Sequence, residues 1–120
     1  AMNGSMILVI GLAYKPDVDD MRESPTFKIF DLLKKMGAEI SYYDPFIPEV
    51  MPTREHGEYT GMQTVDWNKE TVSGFDAVLI STNHSTIDYA ELAVWSDCII
   101  DTRNAMAGIE AKDGNHIFKA

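Results

Sequence analysis

The stretch Gly11–Glu23 (GLAYKPDVDDMRE) gathers side chains that could hold a charged ligand: Lys15, Arg22 and the acids Asp17, Asp19, Asp20 and Glu23. An Arg guanidinium is a planar fork that matches two phosphate oxygens, and a Lys ammonium is a compact point charge. A third cation, Arg103, lies far along the chain, just after Ile99-Ile100-Asp101-Thr102. The plain alternatives are a solvated charged loop and, for Arg103, a salt bridge to Asp101 or another neighbouring acid. Composition bears on the choice. Ten basic and nineteen acidic residues give a net charge of −9. Such a surface repels nucleic acid and anionic lipid, so an anionic ligand needs a fixed local cation.

Other chemistries fare worse. The single cysteine, Cys98, excludes an internal disulfide and a Cys-rich zinc cluster. It stands at the start of an apolar run, away from the expected ligand end, and reads as a buried, inert thiol rather than a nucleophile. His56, His84 and His116 show no paired metal-ligand spacing, so no metal is expected. His56 and His116 read as structural or surface residues. His84 falls at the ligand end, where a polar contact is open.

Elements must position these groups. Met6–Ile10 is a continuous apolar run ending at Gly11, the mark of a strand buried on both faces of a parallel sheet. Ser24-Pro25 reads as an N-cap with Pro at the first helical position. Ile29, Leu32, Leu33 and Met36 then recur at helical spacing and predict the buried stripe. Lys34 and Lys35 suit the helix C-terminus and Gly37 its cap. Ala38–Tyr43 predicts a second strand, closed by a turn at Asp44-Pro45. Residues 45–61 carry no pattern and read as irregular. Asp66–Ser73 predicts a short helix, Ala77–Ser81 a third strand, and Thr86–Val94 a helix facing inward through Ile87, Ala90 and Val94. Cys98–Asp101 and His116–Lys119 predict two more strands. The alternation defines an α/β fold: a Rossmann-like three-layer sandwich with a mostly parallel sheet in one domain, residues 1–120. Ala1-Met2 reads as a tag remnant. The chain has no signal-peptide pattern and no apolar run near the roughly 18 residues that span a bilayer, so a cytoplasmic location is expected.

In such sheets ligands bind beyond the carboxyl ends of the strands. Gly11–Glu23, Asp44-Pro45, Thr82–Ser85 and Thr102–Ala105 fall there. Strand-to-helix loops usually take about 2–6 residues, and Gly11–Glu23 is at least twice as long, which favours function. It lacks the G-x-G-x-x-G of a dinucleotide turn, because Gly11 is followed by Leu12-Ala13-Tyr14. Asp44 stands where such folds place a ribose-binding acid, but Asp44-Pro45 reads better as a turn.

Taken together, Gly11-Leu12-Ala13-Tyr14-Lys15-Pro16, the following Asp19-Asp20-x-Arg22-Glu23-Ser24-Pro25, Tyr43-Asp44-Pro45, Ser81-Thr82-Asn83-His84 and Ile100-Asp101-Thr102-Arg103-Asn104 resemble, in order, the C-terminal domain of the UDP-glucose/GDP-mannose dehydrogenase family. The resemblance implies a UDP-sugar-binding domain of an NAD-dependent enzyme that oxidises a sugar C6 alcohol to a uronic acid through a thioester on a cysteine outside this chain. It implies that Tyr14 and Lys15 meet the nucleotide sugar, Arg103 its UDP part, and Arg22 the NAD across a domain boundary. An N-terminal NAD-binding domain and a central helical region that builds a homodimer would lie outside the chain, and the chain alone would be inactive. The wording of the first motif leans toward UDP-N-acetylhexosamine or UDP-N-acetylmannosamine enzymes. Two rival readings differ in class. A free-standing nucleotide-sugar sensor would use the same cations without catalysis. A phosphoacceptor receiver domain would need acids directly after the first and third strands, where Gly11-Leu12 and Thr82-Asn83 stand.

Overall fold

The computed structural model describes residues 4–21, 24–52, 57–109 and 116–119. Its elements run β1 (Met6–Ile10), α1 (Thr26–Lys35), β2 (Glu39–Tyr43), α2 (Lys69–Ser73), β3 (Ala77–Ile80), α3 (Tyr89–Trp95), β4 (Ile99–Asp101) and β5 (Ile117–Lys119). The five strands pair in the order β2-β1-β3-β4-β5, every pair parallel. Side chains alternate across β1 and supply both faces. Ile7 and Val9 join a core with Phe27, Phe30 and Leu33 of α1. Leu8 and Ile10 join a second core with Val72 of α2 and Leu92 and Ala93 of α3. Burial on both faces is why β1 reads as an unbroken apolar run, and it makes the domain a three-layer sandwich.

The start and end of α1 follow the expected chemistry. Pro25 already has helical dihedrals, and the Ser24 hydroxyl oxygen accepts the Thr26 N–H at 3.2 Å. At the other end Gly37 takes φ 90, its N–H bonds the Lys34 carbonyl, and the Ala38 N–H bonds that of Leu33. These two bonds and the left-handed glycine form a Schellman cap.

The expected face of α1 is wrong in part. The helix buries Thr26, Phe27, Phe30 and Leu33, while Leu32 and Met36 stand 60% and 54% exposed. Two aromatic anchors decide the rotation: Phe27 and Phe30 meet edge to face at 6.0 Å and pack on Tyr59 at 5.9 and 5.1 Å. Tyr59 lies in the stretch read as irregular, which holds a 3₁₀ turn at Gly57–Tyr59 and one end, Glu49, of an isolated bridge to Gln63 beyond it.

The last helix is corrected too. Asp88 caps α3 by accepting the Ala90 and Glu91 N–H groups, so the helix begins at Tyr89 rather than Thr86. It buries Leu92 and Ala93; Ala90 and Val94 face outward, and Ile87 is buried ahead of the helix. The short helix α2 starts at Lys69, with Asn68 accepting the Thr71 N–H. Cys98 is half-buried, just before β4.

Candidate functional site

The chain leaves β1 for β2 at one edge and returns to β3 on the other side of β1, so the strand order reverses between β1 and β3. A crevice at that point is where open α/β sheets bind ligands. Gly11 stands at this edge with φ 91, and a Cβ there would collide with the backbone and Cβ of Thr82. The glycine therefore serves both a left-handed turn and a close approach of two loops. Its carbonyl accepts the Thr26 hydroxyl at 3.0 Å, and that hydroxyl also bonds Ser81 Oγ at 2.6 Å, so the start of α1 is locked to the end of β3.

Asp44, directly after β2, organises this edge of the sheet. It is 1% exposed. Its Oδ2 accepts the Leu12 N–H (2.8 Å), the Ala13 N–H (3.1 Å) and a bond from His84 Nε2 (2.8 Å). Its Oδ1 accepts the Phe46 N–H at 2.8 Å, so the expected turn is present as well. His84 is fully buried, and its Nδ1 accepts the Asp17 N–H at 2.8 Å. The Asp17 carboxylate accepts the Ser85 N–H (2.7 Å) and hydroxyl (2.8 Å). Those two donors hold the Asp17 carboxyl below its ordinary value. Tyr89 donates its hydroxyl to the His84 carbonyl at 2.9 Å. Burial first, then the carboxylates of Asp101, Asp17 and Asp44, push the Tyr89 phenol upward.

Sequence reasoning left His84 as a possible contact and read Asp44 as a turn; it missed that they pair. One signal was available: both polar residues follow apolar strands at the carboxyl edge, where a buried polar group must find a partner.

The anticipated binding residues sit on this frame. Tyr14 and Lys15 are exposed on the loop after β1. The Ala13 carbonyl accepts the Thr82 hydroxyl at 2.8 Å, which ties the base of their turn to the end of β3. Among the described residues, Lys15 makes no hydrogen bond or ion pair. Arg103 follows β4, and its Nε donates to the Ser81 carbonyl at 2.8 Å. Both cation-bearing loops are thus fastened to consecutive residues, Ser81 and Thr82. The Asp101 carboxylate is not the partner of the Arg103 side chain. It is 1% exposed and accepts the backbone N–H groups of Arg103, Ala105 and Met106 at 2.8–3.0 Å. Among the described residues no carboxylate pairs with the guanidinium. Arg22 and His56 lie outside the described residues. His116 is buried and bonds the Ala93 carbonyl at 2.8 Å, a structural role.

The site does not fit a dinucleotide held in the Rossmann manner. The first strand-to-helix turn is closed by Asp44 and Thr82, and every oxygen of the would-be ribose acid is occupied within the protein. Among the described residues no group of three His, Cys, Asp or Glu side chains could hold a metal, and no helix is long and apolar enough to cross a membrane.

Fold and site together define an α/β ligand-binding domain whose carboxyl edge presents cations on braced loops. Comparison with known proteins makes the class specific. A model of the UDP-glucose/GDP-mannose dehydrogenase family, UDP binding domain, matches residues 8–108. The chain is 35% identical, over 92% of its length, to UDP-glucose 6-dehydrogenase YwqF of Bacillus subtilis, of which it covers 26%. It is 32% identical, over 67% of its length, to UDP-N-acetyl-D-mannosamine dehydrogenase of Pyrococcus horikoshii, of which it covers 16%. Among solved structures, NDP-N-acetyl-D-galactosaminuronic acid dehydrogenase of Methanosarcina mazei Go1 superposes with a TM-score of 0.72 at 30% identity, covering 99% of this chain and 24% of that one. The chain belongs to the UDP-glucose/GDP-mannose dehydrogenase family, as its UDP binding domain. It spans about a quarter of the length of the curated relatives YwqF and TuaD.

Proposed function

We propose that this domain holds the UDP moiety of a nucleotide sugar while an NAD-dependent 6-dehydrogenase oxidises the sugar C6 alcohol to a uronic acid. The observation that carries this reading is the pair of cations, Lys15 and Arg103, on loops fastened side by side at the end of β3. In a chain of net charge −9, two such groups on one edge are the place for a diphosphate. Arg103 has its Nε bonded to the Ser81 carbonyl, and among the described residues no carboxylate pairs with its terminal nitrogens. Lys15 adds a point charge from the opposite side of β3, and Tyr14 an aromatic face or a hydroxyl. NAD would be held by other parts of the enzyme, with Arg22 reaching it from this domain. The same parts would supply the nucleophile and the homodimer contacts.

The test is a titration of the isotope-labelled chain with UDP-glucose, followed by NMR. Shifts should cluster at residues 14–15 and 102–103. Lys15→Ala and Arg103→Ala should each weaken binding by about tenfold to hundredfold, the loss of one charge-assisted hydrogen bond. The double variant should lose less than the sum, since both cations serve one diphosphate. Shifts confined to another face, or affinity indifferent to both substitutions, would reject the site.

A further inference from the structure

Resting on the reading that Tyr14 and Lys15 meet the nucleotide sugar, we propose that His84, held by Asp44, is a positioning residue that sets the Tyr14–Lys15 turn only while its Nδ1 carries no proton. The backbone N–H of Asp17 can only donate, so Nδ1, 2.8 Å away, must accept. The ring's proton then sits on Nε2, 2.8 Å from Asp44 Oδ2. Tyr14-Lys15-Pro16 is held by three ties. Ala13 is held by Asp44 and Thr82, the Tyr14 N–H donates to the Asp20 carbonyl at 2.6 Å, and Asp17 is held by His84 and Ser85. Asp17 has φ 62, a left-handed conformation uncommon outside glycine, although Asp tolerates it better than most residues. The bond to His84 helps to hold it there.

A second proton on His84 reverses the contact. It sets an N–H against the Asp17 N–H, and the new donor competes with Ser85 for the Asp17 carboxylate, whose Oδ1 lies 3.9 Å from Nδ1. Among the described residues, the groups facing the ring are the carboxylates of Asp44 and Asp17, the ring of Phe46 at 4.8 Å, and Tyr89, which bonds the His84 carbonyl. The two carboxylates accommodate the added charge while the Asp17 N–H loses its acceptor. Acid therefore loosens the Asp17 end of the turn that carries Tyr14 and Lys15 while the ties at Ala13 and Tyr14 stay in place, and nucleotide-sugar affinity falls with it.

The labelled 120-residue chain tests this by NMR in a pH series from about pH 8 to about pH 5. Three quantities are read: the protonation of the two His84 ring nitrogens, the protection of the Asp17 amide relative to its intrinsic exchange rate, and the affinity for UDP-glucose. UDP-glucose is the probe because its diphosphate, unlike that of free UDP, has no proton to gain in this range. The expected result is a ring protonated at Nε2 alone at the upper end. On acidification, Asp17 protection and UDP-glucose affinity should fall together by roughly threefold to tenfold, the worth of one hydrogen bond. His84→Asn keeps an acceptor oxygen near the place of Nδ1 and removes the titration, so Asp17 protection should stay level with pH. His84→Ala should lose it at every pH. The wild-type titration stands without either variant. Nδ1 protonated at pH 8, or Asp17 protection constant across the range, overturns the proposal. Lys15→Ala separates it from the reading beneath it. If that variant binds UDP-glucose as the wild type does, the site itself is wrong. If it binds weakly but affinity does not follow Asp17 protection, only the role of His84 fails.

Discussion

Gly11 and Asp44 show how much of this domain hangs on single residues. Gly11→Ala adds a methyl group where Thr82 already sits and imposes a left-handed φ on a residue that resists it. It should cost about 2–4 kcal/mol in urea unfolding, with loss of the Thr82–Ala13 bond. Asp44→Ala should cost about 3–5 kcal/mol, because the N–H groups of Leu12 and Ala13 and the ring of His84 would be left buried without their acceptor. Asp17 makes a pH-dependent contribution. Its folded-state carboxyl titrates below the ordinary value because Ser85 donates to it twice. The tie therefore adds stability above the ordinary Asp range, and that contribution is lost as pH falls through the lowered value. Urea midpoints measured downward from about pH 5 should show this acid limb, and Asp17→Asn should flatten it.

At the scale of elements, α1 offers a discriminating pair of neighbours. Leu33 is 7% exposed within the core that Phe27, Phe30 and Tyr59 build, whereas Leu32 is 60% exposed. Leu33→Ala should destabilise by about 2–4 kcal/mol and Leu32→Ala by less than about 0.5 kcal/mol. A loss at Leu32→Ala as large as that at Leu33→Ala in chemical denaturation would restore the stripe that spacing alone suggests, which holds both residues. The spacing pattern admitted both faces, since Phe27, Phe30 and Leu33 also recur at helical intervals. The choice came from Tyr59, which lies too far along the chain for any local pattern to include it.

The whole molecule is an acidic domain with two braced cations and a first strand-to-helix turn closed to a dinucleotide. We expect the 120-residue chain alone to produce no NADH from UDP-glucose or UDP-N-acetylmannosamine at high protein concentration. Steady absorbance growth at the NADH wavelength, abolished by a substitution within the chain, would show that this domain carries more of the chemistry than its turn and its single half-buried thiol suggest.

Local chemistry determined a good deal by itself. The apolar run of β1, the Ser24-Pro25 start and Gly37 stop of α1, and the length of the loop after Gly11 are consequences of burial, capping and turn geometry within a few residues. They were legible for that reason, and with them the parallel α/β class and the edge where Tyr14, Lys15 and Arg103 sit. Tertiary structure alone decided which face of α1 turns inward, that Asp101 serves the backbone rather than the Arg103 side chain, and that Asp44, His84 and Asp17 form one chain of hydrogen bonds. Those partners come from different loops, 40 positions apart for His84 and Asp44. A buried polar side chain must be satisfied by something, but its own neighbourhood in the sequence does not say by what, because the partner arrives only when the strands line up.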